Sequence, residues 1–267
     1  MPLFFNYDKP GRGISKEEAK KRNYFAILGR KLTLIMKANL LFFGVNIILF
    51  LALFAPIFSL LINASRGNAN QTILYYANVL SGKQLMSPVP FLILALFSPT
   101  FAGLTYLCRN FARQEHVFLV SDFFEQTKKN WKQSIIAGLI LSALLYLYMT
   151  AFVVYWSFGS LILRIAISVL GILLACMSFY VFPQIVTFQL SLRQIFKNAM
   201  IFAIANLPYN MLVFVALAVL HIFLILRVPI IWLILMAFFL IAFSTYTINF
   251  VTWTVISKYM IDTGTEE

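Results

Sequence analysis

The chain has 267 residues, of which 61% are hydrophobic and 11% charged, with a formal net charge of +12. A water-soluble domain of this size carries about 25% charged residues. The composition therefore excludes an ordinary soluble fold and indicates a polytopic membrane protein, whose excess Lys and Arg set orientation and meet anionic headgroups rather than nucleic acid. The two cysteines, Cys108 and Cys176, form no C-x-x-C or metal-ligand spacing, so neither a disulfide, a metal nor a cofactor is expected.

The N-terminal segment, residues 1–37, carries Ser15-Lys-Glu-Glu18, which has the form of a capping box. It predicts an amphipathic interfacial helix with Phe25, Leu28, Leu32 and Ile35 on one face, lying under the inner leaflet. The first apolar run starts near Ala38, too far into the chain for a cleavable leader.

Six runs are long enough to cross a hydrocarbon core of about 30 Å, which takes about 20 helical residues. They are Ala38–Ile62, Pro88–Leu107, Ile135–Trp156, Leu161–Thr187, Met200–Leu226 and Val228–Ile256, and Arg164 is the one charged residue within them. The predicted fold is thus an all-α, six-helix transmembrane bundle over residues 38–257, with a short tail, 258–267. Lys and Arg divide 17 against 4 between the two sides, and all nine acids fall on the richer one. Both termini are therefore expected to be cytoplasmic, beside an anionic inner leaflet. The outer loop, Asn63–Ser87, holds two sequons that a bacterium would leave unused.

One pattern recurs on the basic side. "IMKANL" precedes the first span, "KKNWKQS" the third and "IFKNAM" the fifth. Ser121 and Ser191 are placed to cap the short helices that end in the last two. Duplicated hairpins would give this pattern. So would the fitness of Lys and Asn for the headgroup boundary.

The segments "FFNYDKPGRG", "PTFAGLTYLCRNFARQEHVF", "SDFFEQTKKNWKQ" and "FPQIVTFQLSLRQIFKNAMIFAIANLP" occur in that order. Together they resemble the YesL family of small multi-pass proteins of unknown molecular function from Gram-positive bacteria. Members often occur beside sugar ABC importers and glycan-degrading enzymes, so the resemblance implies a role in carbohydrate use. It carries over no catalytic residue.

Three groups of residues invite a functional reading. Arg109, Arg113, His116, Ser121, Asp122, Phe123, Phe124 and Trp131 make a basic, aromatic elbow, suited to a partner groove, to lipid phosphate or to the inner leaflet. Asn46, Gln184, Asn206 and Asn249 lie at similar depth, about 12 Å in at 1.5 Å per residue, as a candidate polar layer. Pro99, Pro183 and Pro208 are expected to kink spans two, four and five. Glu115 and His116 are sequence neighbours, so their side chains diverge on a helix, and no nucleophile or metalloprotease motif accompanies them. The expectation is a non-catalytic accessory subunit that associates with the permease subunits of a carbohydrate ABC importer. The alternative is a stand-alone transporter or channel for a sugar or other small solute.

Overall fold

The computed structural model describes residues 23–55 and 87–261. The predicted cap at Ser15, the sequons at Asn63 and Asn70 and the end of the tail lie outside those residues. Among the described residues every regular element is a helix. In chain order they are α1 (Tyr24–Val45), α2 (Ile47–Ala55), α3 (Val89–Leu96), α4 (Ser98–Arg113), α5 (Leu119–Phe158), α6 (Leu161–Ile185), α7 (Leu192–Ala205), α8 (Leu207–Arg227) and α9 (Pro229–Met260). A π-helical turn, Met236–Leu240, interrupts α9. Four helices are long and apolar enough to cross a membrane, and up to six spans result if each of two bent pairs is one span.

The spans read from composition are interrupted where composition carries no signal. α1 and α2 meet at 70° around Asn46, and α3 and α4 at 49° around Phe97. The fifth run breaks at Asn206. Apolar residues suit both halves of a bent helix, so hydropathy alone runs straight through these points.

Two of the breaks share one construction. The Asn46 side chain donates to the Phe42 carbonyl at 2.7 Å, and Asn206 to the Phe202 carbonyl at 3.5 Å. Each asparagine is the C-cap of the helix before it. The spacing Lys37, Phe42, Asn46 recurs as Lys197, Phe202, Asn206, so the recurring pattern extends further than its Lys and Asn pairs. α7 also begins as expected, with Ser191 and Gln194 forming a complete capping box.

The third instance differs. α5 runs unbroken for 40 residues, about 60 Å at 1.5 Å per residue. The predicted elbow helix is therefore the first part of the span itself, with no bend between them. Ser121 is not its cap. The Asp122 carboxylate accepts the Phe118 N–H at 2.9 Å instead, one turn back from its own position. That also places an acid at the helix's positive end.

In α1 the expected apolar face divides, with Ile35 turned inward and Phe25 and Leu32 outward. Asn23 caps α1 by accepting the N–H groups of Phe25 and Ala26, and the helix continues into the first span. Its buried stripe is Ile27, Ile35, Ala38, Asn39 and Phe42. Phe25 and Leu32 are exposed. The facing was set by the deeper contacts, where Ala38 and Phe42 share a core with Cys108, Phe111 and Tyr246. Being one rigid helix, α1 must bury the same stripe near its start.

α4 is the central helix, packed against α1, α5, α6 and α9. Glycines allow it to approach α5 closely. A methyl group on Gly103 would lie 2.7 Å from the Phe123 carbonyl oxygen, and one on Gly138 would fall on the Ser98 side chain. Small residues at such crossings replace the hydrophobic drive that helices lack in lipid.

Candidate functional site

The end of α4 carries a buried arginine and the one ion pair among the described residues. Arg109 is 6% exposed, although it is charged. Its Nη1 donates to the Val186 carbonyl at 2.8 Å and the Thr187 hydroxyl at 2.9 Å. Nε and Nη2 both reach Asn110 Oδ1, and the guanidinium lies 4.7 Å from the centre of the Tyr106 ring. Val186 is the C-cap of α6. The arginine thus complements the negative end of that helix with its fork of donors. It fastens α4 to α6 from inside and offers a partner no free edge.

Arg113, one turn on, pairs with Glu115 at 2.5 Å and lies 4.2 Å over the Trp253 ring. The helix then ends on Gln114 in the left-handed region, φ 62°. Gln114 donates to the Phe111 carbonyl and Glu115 to that of Asn110, which is a Schellman closure. Its side chain accepts from Arg30 at 3.0 Å, tying α1 to the turn. Glu115 is thereby committed to Arg113, while His116 is exposed and packs edge-on against Phe118.

Beyond the turn the predicted docking aromatics divide. Phe123 is fully buried against Gly103 and its neighbours, so it anchors α5 and has no surface to give. Phe124 and Trp131 are 47% and 51% exposed. With Val120, Lys128 and Lys132 they follow the i, i+4, i+8, i+11, i+12 spacing of one helix face. Eight residues singled out together from sequence thus become inner anchors (Arg109, Arg113, Phe123), a helix cap (Asp122) and an outer face (Phe124, Trp131, with Ser121 and His116 alongside).

The four amides of the predicted polar layer do not meet. Asn46, Gln184, Asn206 and Asn249 each donate to the carbonyl four residues back on their own helix. Two of them also reach another helix: Asn46 accepts the Thr100 hydroxyl of α4 at 3.0 Å, and Gln184 donates to the Ile195 carbonyl of α7 at 3.4 Å. Two asparagines that were not singled out do more. Asn39 bonds the π turn of α9 on three backbone groups. Asn210 accepts the Tyr180 hydroxyl at 2.7 Å and donates to Phe202 and Ala203 at the α7–α8 break. Their sequence signal was an amide beside an interruption in another helix, visible only once the helices are packed.

Pro99 and Pro208 occupy the first turns of α4 and α8, immediately after breaks, where a missing N–H costs nothing. Pro183 lies inside α6, near its end. His221 is packed, not free: Trp232 donates to its Nδ1 at 3.1 Å, which leaves the ring proton on Nε2 for Ser244, also at 3.1 Å.

Three adjoining pockets open between the helices. One of about 300 Å³ is walled by Phe42, Phe50, Phe97, Phe101 and Phe182. A second, of about 540 Å³, lies between α5, α6 and α8 and includes Tyr148 and Ser168. The third, of about 160 Å³, lies between α4, α6 and α9. Leu141 borders all three.

Packed apolar helices of span length, hinged at asparagines and clamped at one end by a buried arginine, define a multi-helix protein of membrane type. Residues 35–152 match the family model described as "Protein of unknown function, DUF624". The chain is also similar to "Uncharacterized protein YteU" of Bacillus subtilis (strain 168), 31% identical over 134 residues. That similarity covers 49% of this chain and 60% of the relative's length. No solved structure matches. These findings bear out the resemblance to a family of unknown function. The family match runs from α1 into α5, so it contains Arg109, though not its partners Val186 and Thr187, and the Phe124–Trp131 face.

Proposed function

We propose that the chain is a non-catalytic accessory subunit of a bacterial plasma membrane, with six spans and both termini cytoplasmic, which docks on the permease subunits of a carbohydrate ABC importer. The observation supporting a docking role is the outer face of α5. Phe124 and Trp131 stand exposed beside Lys128 and Lys132 on a helix whose adjoining side packs through Phe123 against Gly103 of α4. A rigid helix presenting aromatic anchors in a basic frame suits an apolar, acidic groove on a partner. The importer as partner rests on the family resemblance and its carbohydrate context.

The test is co-purification in mild detergent, with a photo-crosslinking residue at position 124. Permease subunits are expected in the crosslinked product. Phe124→Glu is expected to abolish their recovery without moving the unfolding midpoint. A protein that stays solitary overturns the reading. Thiol labelling of a cysteine at position 122 from outside the cell would overturn the orientation.

A second reading, a stand-alone conduit for a small solute, is favoured by the adjoining cavities. Leu141 is their common partition. On that reading, Leu141→Ala raises solute flux into proteoliposomes that contain this chain alone.

A further inference from the structure

We propose that the cavity of about 160 Å³ between α4, α6 and α9 is a hydration site that holds an ordered cluster of water within the apolar bundle. Thr105 and Asn249 both line it, and each is 1% exposed. Thr105 Oγ1 and Asn249 Oδ1 have no hydrogen-bond partner in the protein. The Asn249 amide nitrogen is already used on the Thr245 carbonyl at 2.8 Å, so its oxygen is the group left over. Pro183 lines the same cavity. Because Pro183 has no N–H, the Phe179 carbonyl loses its ordinary helical donor. Phe179 lines the cavity too. Two unpartnered side-chain oxygens, one on α4 and one on α9, thus border one space, and buried groups of this kind are rarely left without a partner.

Their chemistry selects the ligand. An amide oxygen only accepts, and a hydroxyl both donates and accepts. What fits between them must donate protons or be a cation. A buried water typically makes about three hydrogen bonds and takes about 30 Å³ of liquid volume, so the cavity has room for several. A cation is disfavoured because Arg109 lies one turn from Thr105 on α4 and its charge is fixed there by Val186 and Thr187. No acid lines the cavity to offset a second positive charge.

The neighbouring cavity of about 300 Å³ is the internal control. Phenylalanines make up much of its wall, and an apolar wall gives a water no partner to bond. Two adjoining spaces in one bundle therefore differ in hydration for a reason carried by named side chains.

Radiolytic hydroxyl footprinting of the full chain in lipid nanodiscs tests this. Radicals form from bound water and oxidise what it touches. Pro183, although buried, is expected to be oxidised, and Phe50 in the dry cavity is not. Equal labelling of the two, or none at Pro183, overturns the proposal. Thr105→Val combined with Asn249→Leu is expected to lower Pro183 labelling to the Phe50 level, while Thr105→Ser retains it. Should the double variant fail to fold, the contrast between Pro183 and Phe50 in the unaltered protein still decides. Replacing sodium by choline is expected to leave the labelling unchanged. A change would mean that a cation is the occupant and would overturn the neutral ligand.

Discussion

The Ala242 backbone N–H donates to Asn39 Oδ1 at 2.8 Å, across 203 residues of sequence. The same amide's nitrogen donates to the carbonyls of Met236 and Ala237, at 2.9 and 2.7 Å. One side chain on α1 thus completes the backbone that the π turn of α9 leaves open. A π turn lengthens the helical hydrogen-bond loop and strands groups from the regular ladder. In an apolar surrounding each stranded group costs about 1–3 kcal/mol. Asn39→Leu is expected to lower stability by at least that much, seen as an earlier unfolding midpoint in detergent. Asn46→Leu, at a break that keeps its backbone cap, is expected to cost less.

Gly103 and Gly29 offer opposite outcomes for the same substitution. A methyl on Gly103 meets the Phe123 carbonyl at 2.7 Å, whereas one on Gly29 meets nothing within 4 Å. A backbone oxygen cannot rotate aside, so Gly103→Ala must part α4 from α5, at about 1–3 kcal/mol for overpacking. Gly29→Ala in the middle of α1 is expected to stabilise by about 0.5–1 kcal/mol. Thermal unfolding of the two variants side by side checks both signs.

Gln114 occupies a left-handed position usually filled by glycine, at φ 62°. An L-residue pays about 1–2 kcal/mol there. Its bond to Arg30 is exposed, and so returns little. Gln114→Gly is expected to raise the unfolding midpoint, and Gln114→Val to lower it.

Arg109→Lys tests whether the buried charge or its shape matters. A single ammonium cannot reach Val186, Thr187 and Asn110 together, as the guanidinium fork does. A loss of about 1.5–3 kcal/mol is expected, the range for hydrogen bonds to a charged group. Unchanged stability in the lysine variant would mean that charge alone suffices at the end of α6.

The helical class and the apolar runs were legible because bilayer thickness imposes a length that composition displays directly. The start of α6 at Leu161 and the Ser191 cap of α7 agree with it. The breaks were less legible. Pro99 and Pro208 marked two of them, but the hinge at Asn46 has no proline, and its repeat at Asn206 emerges only when the two segments are aligned with their structures. The elbow was misjudged for a related reason. Charged residues from Lys128 to Lys132 mark where lipid ends, not where a helix ends, and α5 continues through them. Phe123 and Phe124 look equivalent in sequence, yet neighbouring positions on a helix point about 100° apart, and only packing against Gly103 decides which is inside.

The unbroken course of α5 has a mechanical consequence. With no hinge along its 40 residues, it behaves as a stiff lever. A displacement near Phe124 has no break to dissipate it before Tyr148, whose hydroxyl abuts Gly171 of α6. A tilt imposed on one end of this rod is therefore delivered to the other as a change in how α5 and α6 mesh.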